Sequence, residues 1–114
     1  MNALAFDRDG TLVWGTPAGP ITPEHLRKAR RLGWAIGGSG GQAPEEQQSQ
    51  WQAHGLQPDF VVHKRDLASL KARYDTVVHI GDAPDDRTAA AAAGVGYMAP
   101  PHFVAWLEKQ AETP

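Results

Sequence analysis

The chain lacks cysteine altogether, which excludes disulfide bonds, thiol catalysis and cysteine-ligated zinc. No apolar run approaches the roughly 20 residues that a membrane helix requires, and the opening residues MNALAF lack the basic region and cleavage pattern of a signal peptide. The formal charge is only −2, so overall charge favours neither nucleic acid nor a membrane as a partner. We therefore expect a cytoplasmic protein without a membrane partner.

The length of 114 residues suits one domain with a substantial core and leaves little room for a second one. Residues 1–114 are accordingly expected to form a single domain. An apolar share of 41% and a charged share of 21% are typical of an ordinary soluble globular protein.

Short apolar segments alternate with helical patterns along the chain. The helical pattern is clearest in ITPEHLRKARRLG, because Thr22 suits a cap, Pro23 the first turn and Gly33 the helix end. Predicted strands cover 3–6, 34–36, 59–63, 76–80 and 95–99, and predicted helices cover 21–33, 43–55, 65–74, 85–94 and 101–110. This alternation predicts an α/β fold, a three-layer Rossmann-like open parallel sheet of about five strands with helices on both faces.

Polar residues follow the first four predicted strands. They are Asp7 and Asp9 after the first strand, Gly37 to Gly41 after the second, Lys64 and Arg65 after the third, and Asp82, Asp85 and Asp86 after the fourth. Ligands of open parallel sheets bind beyond the carboxyl ends of the strands, so these residues are expected to converge there.

Four or five carboxylates at one sheet edge would repel one another by about 4 kcal/mol per pair at about 4 Å. A bound cation would relieve this repulsion, and Mg²⁺ suits oxygen ligands in a chain without thiols. Lys64 would add a fixed positive charge, and backbone N–H groups of the GGSGG segment could hold an anion such as phosphate. Together these features indicate a phosphoryl-transfer site with Mg²⁺ as its cofactor.

Each feature also has a purely structural interpretation. Asp7 and Asp9 could cap a turn, GGSGG could be a flexible loop, Lys64 could be a surface lysine, and GDAPDD could be a polar turn that caps a helix. The occurrence of all four features in this order, each at a predicted strand end, favours the functional interpretation.

The segments FDRDGTLV (6–13) and HIGDAPDDRTAAAAAGV (79–95), with Lys64 between them, resemble the first, fourth and third motifs of the haloacid dehalogenase-like superfamily of phosphatases. The order of elements resembles the family core across nearly the whole chain. The resemblance implies that Asp7 is a nucleophile that forms an aspartyl-phosphate. It also implies that Asp9 is the general acid and then the general base.

The same resemblance implies a set of metal ligands. The side chains of Asp7 and Asp82 and the backbone carbonyl of Asp9 would hold Mg²⁺, and Asp86 would order the waters of the metal. Asp85 is an alternative to Asp86, although the four-residue spacing from Asp82 favours Asp86.

The second motif departs from the family pattern, which places Ser or Thr directly after the second strand. With the predicted strand boundaries Gly37 stands at that position, and Ser39 follows two residues later. Either the strand ends later and Ser39 donates its hydroxyl to the phosphoryl group, or backbone amides do so alone. The residues expected to shape the turn and bind phosphate are Thr11, Gly37, Gly38, Ser39 and Lys64.

The segments 14–33 and 42–58 are too short for more than a hairpin and one helix, so we expect an open site with no cap domain. Open sites of this kind suit phosphorylated macromolecules, or are covered by a partner subunit, as in a homodimer. Trp14 could stack on a base or sugar of such a substrate, or could pack under the flap that follows the first motif.

Two alternatives to a general phosphatase remain at this point. DDRT (85–88) resembles the phosphatase domain of phage polynucleotide kinases, so a polynucleotide 3′-phosphatase with a nucleic acid partner is one. A basic cluster, Arg27, Lys28, Arg30 and Arg31, could follow a phosphate backbone, although a solvated helix face explains it as well. The other alternative is a regulatory module that binds metal or phosphate but has lost efficient catalysis.

Overall fold

The computed structural model describes residues 1–111, in which strands and helices alternate as the sequence predicts. The strands are β1 (Asn2–Phe6), β2 (Ala35–Gly38), β3 (Phe60–Val61), β4 (Thr76–Ile80) and β5 (Gly96–Met98). The helices are α1 (Pro23–Arg31), α2 (Pro44–Ala53), a 3₁₀ helix (Lys64–Ala72), α3 (Pro84–Ala93) and α4 (Pro100–Glu108).

The five strands form one parallel sheet in the order β3-β2-β1-β4-β5. Strand β1 is central, and its Leu4 pairs with Ile36 of β2 on one side and Val78 of β4 on the other. The chain builds outward from β1 to β3, then crosses back through the 3₁₀ helix to begin the other half at β4. The topological switch point therefore lies beside β1 and β4, where open α/β sheets form their binding crevice.

Helices cover both faces of the sheet, which confirms the predicted three-layer Rossmann-like architecture. Leu4 and Phe6 of β1 face a buried cluster that includes side chains from α1, α2 and α4. Ala3 and Ala5 face the other cluster, which contains Leu67 and Leu70 of the 3₁₀ helix, with α3 packed against it. Successive side chains of a strand point to opposite faces, so one short apolar strand supports both layers.

Local sequence accounts for the start of α1. The Thr22 hydroxyl accepts a hydrogen bond from the His25 N–H, and His25 Nδ1 accepts one from the Thr22 N–H. This reciprocal cap satisfies two backbone donors that a helix start leaves unpaired. Pro23 occupies the first helical position, and the helix ends before Gly33, as predicted.

Two predicted strands, β2 and β3, end two residues away from where the structure ends them. Strand β2 runs to Gly38 instead of ending at residue 36, because Gly37 and Gly38 pair with β1 on one side and with β3 on the other. A Cβ at Gly37 would lie 2.1 Å from the Phe60 carbonyl oxygen, so the glycine permits this close approach. Strand β3 has only two residues because the chain turns directly into the 3₁₀ helix, where His63 Nδ1 accepts from the Arg65 N–H.

The helix predicted over 65–74 is a 3₁₀ helix that begins one residue earlier and is interrupted at Asp66. Leu67 and Leu70 are fully buried, as the sequence predicts. Within residues 1–111, no helix has the length and apolar character needed to cross a membrane.

Candidate active site

Asp7 lies directly beyond β1, at the junction with β4. Its N–H donates to the Ile80 carbonyl at 2.9 Å, so the last residue of β4 holds the first residue after β1. The residue is only 6% exposed. Burial raises the pKa of Asp7, and the charge of Asp86 acts in the same direction, whereas Lys64 opposes both. The Asp7 carboxylate is thus more basic than a carboxylate in water.

Lys64 stands at the start of the 3₁₀ helix and reaches three carboxylates. Its Nζ lies 2.8 Å from Asp86 Oδ1, 3.2 Å from Asp85 Oδ2 and 3.5 Å from Asp7 Oδ1. Its backbone N–H donates to the Gly40 carbonyl at 2.8 Å, which links the end of β3 to the loop after β2. Burial opposes the charge of the ammonium, but the neighbouring Asp86 and Asp7 raise the pKa of Lys64 above its usual value. Lys64 therefore supplies the fixed positive charge at this edge of the sheet.

Asp86 is the buried member of the pair Asp85 and Asp86. Its side chain has no exposed area and accepts from the Ala83 N–H at 2.9 Å and from Lys64, whereas the Asp85 side chain is 67% exposed. His79 Nε2 lies 2.7 Å from Asp86 Oδ1. Burial alone would raise the pKa of Asp86, but these hydrogen bonds, with that of His79 the largest, lower it to about 2.

This shift predicts how stability depends on acidity when metal is removed with EDTA. The folded pKa of Asp86 lies below the usual 3.8, so its stabilising contribution is complete above about pH 4 and is lost towards about pH 2. We expect Asp86→Asn to remove this dependence, which is on the order of 2 kcal/mol. Denaturant unfolding of both proteins from pH 5 to about 2 measures it. Equal slopes over that window would contradict the prediction.

Asp9 is held by Arg8, a residue whose role the sequence analysis did not anticipate. Arg8 Nε donates to Asp9 Oδ1 at 2.8 Å, and the Thr16 N–H donates to the same oxygen at 2.9 Å. The hydrogen bond from Arg8 is the largest of the effects that lower the pKa of Asp9. In this arrangement Asp9 is a carboxylate, the protonation state in which a general base begins. The only signal for Arg8 in the sequence is its position between the two aspartates.

The turn after β1 lies against the Asp82 side chain. Gly10 has a φ of 70°, a left-handed conformation that glycine adopts readily, and a Cβ there would lie 2.6 Å from Asp82 Oδ2. Thr11 is fully buried, and its hydroxyl donates to the Asp9 carbonyl at 3.4 Å. Gly10 thus leaves room for the Asp82 carboxylate, while Thr11 closes the turn from inside.

Ser39, not Gly37, is the residue directly after β2, because the strand continues through Gly38. Its N–H donates to the Phe6 carbonyl at 2.9 Å, and its hydroxyl lies 2.8 Å from His79 Nδ1. Ser39 is fully buried. Gly37 and Gly38 lie within β2, so Ser39 is the first residue beyond the carboxyl end of that strand.

Gln47 holds the loop that follows Ser39 and is a further residue that the sequence analysis missed. Its Oε1 accepts from the Gly40 N–H at 3.1 Å, and its Nε2 donates to the Gln42 and Val62 carbonyls, each at 2.9 Å. Gln47 and Trp51 form the buried face of α2. A glutamine four residues before a tryptophan on an otherwise polar helix is a weak signal for this arrangement.

Within residues 1–111, no three acidic or histidine side chains are grouped as a ready metal site. Mg²⁺ nevertheless commonly binds through only one or two carboxylates and keeps several waters. The Asp7 carboxylate and the Asp82 carboxylate over Gly10 are of this kind.

No family model matches the chain. No curated protein matches it either. Among solved structures, a protein of Pyrococcus horikoshii OT3 described only as hypothetical is similar, with 19% sequence identity and a TM-score of 0.44. The alignment covers 87% of this chain and 41% of that one, so this chain spans about two fifths of its length.

The structure brings Asp7, Lys64, Asp85 and Asp86 into direct contact through the lysine, as the convergence of strand ends predicts. The contacts of Asp9 and Ser39 are to Arg8 and His79 instead. Asp7, Lys64 and Asp86 of the predicted site therefore meet at one sheet edge, whereas Asp9 and Ser39 are held by two residues, Arg8 and His79, that the sequence analysis did not place in the site.

Proposed function

We propose that the protein is a Mg²⁺-dependent phosphomonoester hydrolase that works through an aspartyl-phosphate on Asp7. The observation that carries the proposal is the Lys64 ammonium, held between Asp7 and Asp86 at the topological switch point of the sheet. A carboxylate of raised pKa beside a largely buried cation is arranged for attack on an anionic phosphate ester, because the cation offsets the repulsion between the carboxylate and the ester.

In the first step an Asp7 carboxylate oxygen attacks phosphorus, the bond from phosphorus to the ester oxygen breaks, and the leaving oxygen takes a proton from Asp9. In the second step a water oxygen attacks the same phosphorus and gives its proton to Asp9, and the bond from phosphorus to Asp7 breaks. Inorganic phosphate leaves and Asp7 is a carboxylate again. Covalent catalysis of this type replaces one difficult displacement with two easier ones.

Asp9 needs a proton for the first step and accepts one in the second. The hydrogen bonds from Arg8 and the Thr16 amide keep Asp9 deprotonated, the state in which the second step begins, but by lowering its pKa they also weaken it as a base. The first role requires Asp9 to leave Arg8 when substrate arrives. A phosphate ester offers a guanidinium several anionic oxygens, more than the single Asp9 carboxylate does, so the incoming substrate itself supplies a reason for Arg8 to move.

The residues that would hold Mg²⁺ are Asp7 and Asp82 through their side chains and Asp9 through its carbonyl, with Asp86 behind them. When bound there, the ion would neutralise charge on the phosphoryl oxygens. The all-oxygen donor set fits this ion, and the single charge of Lys64 does not balance the three carboxylates that it contacts, those of Asp7, Asp85 and Asp86.

Nucleic acid is the less favoured substrate class. Arg27 pairs with Glu24, and Arg30 donates to Asp59 at 3.1 Å, so two of the four basic residues of α1 serve local contacts. Trp14 stacks on His54, with ring centroids 4.3 Å apart, and meets Trp51 edge-on, which supports the packing role rather than base stacking.

The test is phosphate release from an aryl phosphate and from a 3′-phosphorylated oligonucleotide, each with Mg²⁺ and with EDTA. We expect release that falls at least about 100-fold in EDTA and returns when Mg²⁺ is added in excess, since charge neutralisation at the phosphoryl group carries most of such a reaction. Circular dichroism in EDTA controls for unfolding.

Three outcomes separate the candidates. Preference for the oligonucleotide with a steep loss at high salt would support the polynucleotide 3′-phosphatase. Mg²⁺-dependent stabilisation without release over a broad panel of esters would support the regulatory module. Full activity in EDTA would contradict the metal-dependent mechanism.

A further inference from the structure

Three polar side chains on one face of the sheet are buried and joined end to end. The Ser39 hydroxyl lies 2.8 Å from His79 Nδ1, and His79 Nε2 lies 2.7 Å from Asp86 Oδ1. Ser39, His79 and Asp86 have no exposed area. Lys64 Nζ extends this chain from Asp86 to Asp7, so it runs from the end of β2 to the end of β1.

The burial of all three residues separates this arrangement from a serine hydrolase triad. A nucleophilic serine must reach its substrate, and Ser39 has no exposed surface. In addition, Asp86 has a basic neighbour, Lys64, at 2.8 Å on the same oxygen that faces His79. These contacts therefore act by holding other side chains in place.

The hydrogen-bond chemistry determines which atom donates at each contact between Ser39, His79 and Asp86. Asp86 Oδ1 accepts from the Lys64 ammonium, and an ionised carboxylate has no proton to offer, so His79 Nε2 is the donor. In a neutral imidazole that is protonated on Nε2, Nδ1 has a lone pair and accepts from the Ser39 hydroxyl, which has only one proton to give. This direction leaves every polar atom of the chain with a partner and occupies the Ser39 proton.

Space around Asp86 is also adapted to this contact. His79 lies on β4, opposite Ala5 of β1. A Cβ at Gly81 would lie 2.1 Å from Asp86 Cγ, so the glycine after β4 opens the place that the carboxylate takes. Three donors then hold it, namely His79 and Lys64 on Oδ1 and the Ala83 amide on Oδ2.

We propose that His79 is a positioning residue, which holds the Asp86 carboxylate from inside the sheet and thereby sets Lys64 against Asp7. The expected effect of His79 on catalysis rests on the proposed function. Its expected effect on the position of the Asp86 carboxylate does not depend on any activity. Residues that orient a ligand or a catalytic group from behind commonly change affinity or activity 10- to 100-fold when replaced.

Two variants of His79 each retain a nitrogen at the place of only one of the two ring nitrogens. In His79→Gln the amide nitrogen can reach the place of Nε2 and keep a donor for Asp86, whereas in His79→Asn it can reach only the place of Nδ1 beside Ser39. We expect His79→Asn to lower kcat about 10- to 100-fold with little change in KM. His79→Gln should recover most of that loss. His102→Asn, the same change at an exposed histidine, should match the wild type.

Two measurements do not depend on activity. Long-range ¹H–¹⁵N NMR spectra of the imidazole should show His79 protonated on Nε2 and not on Nδ1. Crystal structures of the two variants should keep Lys64 between Asp7 and Asp86 in His79→Gln and displace the Asp86 carboxylate in His79→Asn. A proton on Nδ1, or Asp86 and Lys64 in place in both variants, would overturn the proposal.

The experiment also separates the two levels of inference. If the wild type hydrolyses no ester, the proposed function fails, and the spectra and variant structures still decide whether His79 positions Asp86. If the wild type is active and folded His79→Asn and His79→Gln are equally impaired, the positioning role fails and the proposed function stands.

Discussion

Asp7→Asn should abolish phosphate release while leaving the fold intact, with kcat lower by about 10⁴-fold or more. Loss of a covalent nucleophile is among the largest single effects known for enzymes, because the reaction then has no first step. The amide is nearly isosteric with the carboxylate, and the 2.8 Å contact between Lys64 and Asp86 does not involve Asp7. The measurement is steady-state phosphate release with Mg²⁺, together with thermal unfolding.

The control for this variant is Asp75→Asn, which makes the same change at an exposed carboxylate before β4, at the opposite end of the sheet. Activity equal to the wild type in Asp75→Asn and none in Asp7→Asn would support the assignment. Mass spectrometry of the purified Asp7→Asn protein is needed, since conversion of the asparagine back to aspartate would restore activity. Substantial turnover by a homogeneous Asp7→Asn preparation would show that Asp7 is not the nucleophile.

Lys64→Met should have the second largest effect, because it removes the cation that Asp7, Asp85 and Asp86 share. We expect kcat to fall about 10³-fold and the free energy of unfolding to fall by about 3 kcal/mol, the usual size when one partner of a buried ion pair is removed. The pKa of Asp7 should rise further, since Lys64 has the largest of the effects that lower it. Kinetics and denaturant unfolding at neutral pH measure both effects.

Two further variants serve as controls for Lys64→Met. Lys71→Met changes an exposed lysine of the same 3₁₀ helix and should leave both activity and stability close to the wild type. Lys64→Arg keeps the charge but not its compact shape, so it should retain stability better than activity. Wild-type activity in Lys64→Met would remove Lys64 from the mechanism.

Much of the fold could be predicted because its signals are local. Strand β4 has the bounds that its apolar run predicts, and α1 begins at the cap formed by Thr22. Alternation of short apolar runs with capped helices predicts a parallel sheet, since parallel neighbours need a crossover between them. Burial of Leu67 and Leu70 followed from their spacing, even though the helix that carries them is of the 3₁₀ type.

The errors came from contacts between residues distant in the chain. Gly37 and Gly38 read as loop by their composition, but neighbours on both sides keep them in β2. Glycine has weak preferences of its own, so strand pairing decides its conformation. The same correction moves Ser39 to the end of the strand, the position that the sequence analysis had given to Gly37.

The sequence by itself determined which carboxylates lie at strand ends and that a lysine accompanies them, because strand ends are marked by local changes in polarity. Only the tertiary structure decided which of these groups touch. The strand order puts β1 between β2 and β4, so Asp7 meets groups from the 3₁₀ helix and α3, and Asp86 rather than Asp85 turns inward to His79. A hydrogen bond across 40 residues, as between Ser39 and His79, depends on that order and leaves no periodic trace along the chain.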